Sequence, residues 1–161
     1  MNSIINVTHQ CIQLKSNYDV FTKNIETLLK HLDSNYAEHI LDNPGAVENY
    51  LKSLSGDTGL ILFGEQNHGG LLNIYGKPRK AKQYAIGNPL IAIQMTQHDI
   101  RAGLYAPLRI IVYEGDDNLS YVEYDLPSSL FGQFGKDEIL AVAKGLDEKL
   151  HNAITVADNA L

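Results

Sequence analysis

The chain is 161 residues long and 44% hydrophobic, which suits one domain that buries a core of its own. Its formal net charge of -6 runs against sequence-independent binding to nucleic acid, which depends on Lys and Arg neutralising phosphates. One cysteine, Cys11, makes no internal disulfide and fits a reducing cytoplasm, and no stretch approaches the roughly 20 apolar residues of a membrane-spanning helix.

The first residues, MNSIINVTHQ, lack the basic start and apolar run of an export signal, so a soluble, unexported protein is expected. Over residues 5–15, Ile5, Val7, Cys11 and Ile12 alternate imperfectly with polar residues and read as a first strand, with Cys11 as a small buried hydrophobe. Ser16 and Asn17 offer N-caps to a helix whose apolar face is Tyr18, Phe21, Ile25, Leu28, Leu29 and Leu32. After a weakly patterned stretch, Asn43-Pro44 opens an extra helix carrying Val47, Tyr50, Leu51 and Leu54 and ending at Gly56. Gly59 to Phe63 has the length of one buried strand. Residues 65–80 mix glycines with an apolar cluster, Leu71, Leu72, Ile74 and Tyr75, that fits either helical turns or an edge strand.

The segment from Lys82 to Glu114 reads as strand, turn, helix, strand. Tyr84 to Ile86 are extended, Gly87 permits the turn, Asn88 caps a helix with Pro89 in its first position, and Pro107 leads into a strand from Leu108 to Tyr113. Leu108, Ile110 and Val112 share one face of that strand and Arg109, Ile111 and Tyr113 the other, so both faces are expected to be partly covered. Residues 114–118 form a hairpin loop to a partner strand, Ser120 to Asp125. A closing helix starts near Asp137, with acidic residues in its first turn and a stripe of Ile139, Val142, Ala143, Leu146, Leu150 and Ala153. The layout is α+β, a β-α-β(4)-α two-layer arrangement with an antiparallel-rich sheet, helices packed against it and an extra helix inserted after the first.

Several residues are candidates for chemistry. His68 beside Gly69-Gly70 either holds an anion together with backbone N–H groups or is a polar residue of a glycine turn. Asn88 either points its amide at a ligand or serves only as an N-cap. Arg109, among apolar neighbours, pairs with Glu123 across the hairpin or clamps a ligand's anionic group. His31, Asp33, Glu38 and His39 lack the spacing of metal ligands and read as surface, so no metal or other cofactor is expected. His98-Asp99 suits the end of a helix, and Lys77, Arg79, Lys80 and Lys82 read as a solvated loop and a strand edge protected against pairing. No catalytic triad context or dinucleotide fingerprint stands in the chain.

Phe63 onward with Asn67-His68, Ala85-Ile86-Gly87-Asn88-Pro89, Ala106-Pro107-Leu108-Arg109, Val112-Tyr113-Glu114, and Tyr124 with Pro127 together resemble the family of domain of unknown function 302, over about residues 59–134. The resemblance implies a β-α-β(4)-α fold, often dimeric, and no established activity. Family members commonly carry an Asp where Asn67 stands, an acidic residue where Tyr105-Ala106 stands, and a His near Phe134-Gly135. Those departures remove polar groups that a shared catalytic site would need. The stretch from His31 to Ser55 is unlike shorter members.

Residues 1–161 are therefore expected to form one such domain, a cytoplasmic homodimer without membrane or nucleic-acid partners. The favoured role is non-catalytic binding of a small ligand or a protein, with a pocket lined by Tyr84, Tyr113, Tyr121 or Tyr124 and edged by His68 and Arg109. The alternative is an enzyme acting on a small anionic substrate, with His68 as acid or base and Arg109 as the clamp.

Overall fold

The computed structural model describes residue 2 and residues 4–160. The chain runs through β1 (His9–Gln13), α1 (Tyr18–Leu28), α2 (Pro44–Ser55), β2 (Ile61–Gln66), α3 (His68–Leu71), β3 (Ala81–Gly87), α4 (Pro89–Thr96), β4 (Leu108–Glu114), β5 (Ser120–Asp125), α5 (Pro127–Phe131) and α6 (Asp137–Asn159). Short 3-10 turns lie at Ser34–His39, Leu72–Tyr75, Ile100–Tyr105 and Gly132–Phe134. The strands form a 5-stranded sheet in the order β1-β5-β4-β3-β2, with every neighbouring pair antiparallel. This is the α+β arrangement that the order of elements implies, with α2 as the inserted helix. No described helix is long and apolar enough to cross a membrane.

Helix α1 starts where Asn17 accepts from the Val20 N–H, and it turns Tyr18, Phe21 and Ile25 into the core, followed by Leu29. Helix α6 has Asp137 and Glu138 at its positive end and buries Ile139, Ala143, Leu146, Leu150 and Ala153 at helical spacing. The two helices pack on each other over one sheet face, whose buried residues are Leu62, Tyr84, Ile86, Leu108, Ile110, Val112, Val122 and Tyr124. Removing a side chain the size of Phe21 or Ile25 from water supplies about 1.5–3 kcal/mol each, which makes this face the main source of stability.

The opposite face of β4 is covered only in part, within the expectation of at least partial cover on both faces. Burial along β4 follows Leu108, Ile110 and Val112, whereas Arg109 is exposed and Ile111 and Tyr113 only half-buried. Tyr113 and Tyr121 stack there with ring centroids 5.5 Å apart. Cys11 is exposed rather than buried, because in β1 it shares this uncovered face with Glu123 while Ile12 turns toward the core.

Other boundaries move for local reasons. β1 is shorter than residues 5–15, leaving Val7 exposed outside it. β2 continues through Gly64 because a register shift between Leu62 and Gly64 absorbs the irregularity. Residues 65–80 contain α3 and a 3-10 turn closed by Gly76 at φ 68. The basic cluster does not guard an edge, since β3 lies between β2 and β4. Its cations tie elements together: Lys82 bonds Glu26 at 2.7 Å, Lys80 bonds Asp19 at 2.8 Å, and Arg79 bonds Asp116 at 2.6 Å.

Candidate functional site: an apolar cavity between two helices

Two helices begin with the same device. Asn43 accepts from the Ala46 N–H at 3.1 Å and Asn88 from the Leu90 N–H at 2.9 Å, with Pro44 and Pro89 in the first turns of α2 and α4. α4 is short and apolar nearly all round, so one face cannot hide: Met95 is 1% exposed while Ile93 is 57% exposed. α2 sends Leu51 inward and leaves Val47 half-buried. Between them opens a cavity of about 820 Å³, floored by Phe63, Leu108, Phe131 and Leu146. Volumes of about 300–1,000 Å³ are usual for small-molecule sites. At the mouth stand Gln94 and the pair Glu48–Lys52, one helical turn apart with Lys52 Nζ 2.5 Å from Glu48 Oε1.

The residues singled out in the sequence do not converge on this cavity, with one exception. Asn88 lines it, and its amide is fully occupied: Oδ1 caps α4 and Nδ2 donates to the Gly59 carbonyl at 3.0 Å. His68 is exposed at the start of α3. Its glycine neighbours serve backbone packing, since Gly69 lies so close to the Arg79 carbonyl and the Ala81 nitrogen that no side chain fits there. Arg109 is exposed beside Asp125 at a recess of about 40 Å³. α3 packs near the Ala81 end of β3 whereas Arg109 sits opposite Ala85, so the two side chains are separated by roughly 13 Å along the sheet and frame no common pocket.

Arg109 does not pair with Glu123. The hairpin register sets Glu123 opposite Ile111, two positions away, and Glu123 is taken by the Tyr113 hydroxyl and by His9 Nε2 at 2.9 Å. The expected tyrosine pocket is also divided by the sheet. Tyr84 and Tyr124 point into the core, at 0% and 5% exposure, while Tyr113 and Tyr121 lie on the uncovered face.

That face carries a cluster of titratable groups at the junction of β1, β5 and β4. The Tyr113 hydroxyl, then His9, hold the Glu123 carboxyl below its ordinary range, and Glu123 in turn pushes the Tyr113 phenol up. Desolvation first, and Glu123 second, push the Cys11 thiol up, the opposite of what a cysteine nucleophile needs. Among the described residues no group of three or more His, Cys, Asp or Glu is arranged to hold a metal ion.

The cavity walls were missed because they come from elements read separately. One signal was present: an eight-residue helix, Pro89–Thr96, with apolar residues on every side needs more cover than one sheet gives.

The family model for domain of unknown function DUF302 matches residues 37–157. The crystal structure of an uncharacterized conserved DUF302 protein from Bacillus stearothermophilus superposes with a TM-score of 0.66 at 12% sequence identity, covering 92% of this chain and 97% of that one. At that identity the likeness concerns the fold alone. No curated protein matches the chain. With the family model spanning most of its length and the sheet order and helix placement described above, the chain belongs to the DUF302 family.

Proposed function

We propose that this chain is a non-catalytic domain that binds a small molecule in the cavity between α2 and α4. The observation that carries the reading is the combination of size and wall: about 820 Å³ reaching down to Leu51, Met95, Phe131 and Leu146, all at most 4% exposed, with Ile40 and Ile93 exposed at the rim. Apolar surface left in water at a rim disfavours the empty state by about 25 cal/mol per Å², so an apolar occupant is the natural cover. In the same reading residues 1–161 act as one domain, in the cytoplasm, and pair as a homodimer through the uncovered sheet face. Half-buried Ile111 and the stacked Tyr113 and Tyr121 rings support that pairing surface.

The test uses N-phenyl-1-naphthylamine, an uncharged dye that brightens in apolar surroundings, excited at a wavelength that Trp does not absorb. The wild-type protein is expected to brighten the dye saturably. Ala92→Trp on α4 and Val47→Trp on α2, each placing an indole in the cavity from a different wall, are expected to lower that signal at least about tenfold with circular dichroism unchanged. Full brightening in both folded variants would overturn the reading.

A further inference from the structure

Among the described residues, the depth of the cavity offers a ligand no charged side chain: besides the exposed Glu48, Lys52 and Gln94, the polar side chains in its lining are the half-buried Tyr36 and the buried Asn88. Asn88, the buried amide in its wall, spends Oδ1 on the Leu90 N–H and Nδ2 on the Gly59 carbonyl. The start of α4, which would otherwise present free N–H groups to an anion, is closed: Pro89 has no N–H, and the Ile91 and Ala92 N–H groups donate to the Asn88 carbonyl at 3.0 and 2.9 Å. A charged group drawn into this space would lose its hydration without meeting an opposite charge.

The mouth is electrically balanced. Glu48 and Lys52 are its one anion and one cation among the lining residues, and they already bond each other at 2.5 Å. A carboxylate seeking Lys52 would have to displace Glu48 and then lie beside it; an ammonium seeking Glu48 would meet Lys52. Either ion pays repulsion for what attraction it gains. Gln94 donates its amide nitrogen to the Leu90 carbonyl at 3.1 Å, so the mouth presents its Oε1 as an acceptor. A hydroxyl, which both donates and accepts, suits Gln94 together with the neutral Glu48–Lys52 pair.

We propose that the ligand is an uncharged amphiphile, with an apolar body of alkyl or isoprenoid kind against Leu51, Met95 and Phe131 and one neutral hydroxyl or carbonyl head at the mouth. This rests on the cavity being a ligand site. It narrows that site to a chemical class and departs from the small anionic ligand expected from the sequence.

The experiment displaces bound N-phenyl-1-naphthylamine with three probes of equal chain length at neutral pH, dodecanol below its solubility limit and laurate and dodecylammonium below their micelle concentrations. Dodecanol is expected to displace the dye at a concentration at least about tenfold lower than either ion, a difference of about 1.4 kcal/mol. Unbalancing the mouth should shift the ranking in opposite senses: Glu48→Gln improves laurate, and Lys52→Gln improves dodecylammonium. Laurate or dodecylammonium matching dodecanol on the wild-type protein overturns the proposal while dye binding itself leaves the cavity reading standing. Dye that never binds, or that binds equally to Ala92→Trp and Val47→Trp, removes both.

Discussion

The Tyr84 hydroxyl, at the end of a side chain with 0% exposure, donates to Glu26 Oε1 at 2.6 Å, and Lys82 Nζ reaches the same oxygen at 2.7 Å. A carboxylate on α1 is thereby fastened to the interior strand β3. Burial would raise the Glu26 pKa, but the Lys82 and Tyr84 hydrogen bonds outweigh it and hold the carboxyl below its ordinary range. The Tyr84 phenol is pushed up, by burial first and by Glu26 second, so it stays a donor at any working pH. Tyr84→Phe keeps the ring and removes one hydrogen bond to a charged acceptor. It is expected to cost about 1.5–3 kcal/mol in urea unfolding, and a loss below about 0.5 kcal/mol would contradict the pairing.

Asn88 holds two backbone segments, the start of α4 and the Gly59 carbonyl that precedes β2. Asn88→Ala is expected to cost about 1–3 kcal/mol, the cap and the bond to Gly59 together. Asn88→Asp keeps the cap oxygen and loses the donor, so it should be milder by denaturant midpoint. Equal losses in the two variants would show that the cap on Leu90 contributes nothing.

The His9 ring lies between Asp125 Oδ1 and Glu123 Oε2, both at 2.9 Å, and its pKa is raised by Asp125 first and Glu123 second. A raised folded pKa means that protonation stabilises the fold: the contribution is full below the ordinary value of 6.5 and fades as pH rises through the folded value. Glu123 runs the other way, its lowered pKa giving stability above the ordinary 4.5 that is lost as pH falls through the folded value. The ring is half exposed, so the effect is small, and the measurement is a difference. The melting temperature of His9→Asn should approach that of the wild type as pH rises through the raised folded value, and should fall short of it below 6.5. A gap independent of pH would rule out protonation as the cause.

Cys11 is exposed on the open sheet face, with its thiol pKa raised. A thiol reagent is expected to label the native protein to completion, several-fold more slowly than free cysteine near pH 8, since the thiolate is the reacting form. Protection that grows with protein concentration is the outcome expected of pairing through this face. Labelling only after denaturation of a dilute sample would contradict the exposure of β1.

The elements that were legible in the sequence are those whose causes are local. Asn17, Asn43 and Asn88 each cap the helix that follows them, the alternation of β5 places Val122 and Tyr124 inward, and the stripe of α6 is buried as its spacing implies. α5 escaped notice because five residues, Pro127–Phe131, are too few to display a period. What only the tertiary structure decided depends on distances between separate elements. The register of β4 against β5 gives Glu123 to Tyr113 and His9 instead of Arg109, and the position of α3 along β3 separates His68 from Arg109. Both helices settling on one sheet face expose Cys11. The cavity is the gap left where α2 and α4 fail to close on each other, and a gap has no residue pattern of its own: its walls look in sequence like any other apolar helix faces, and only their separation in space makes them a site.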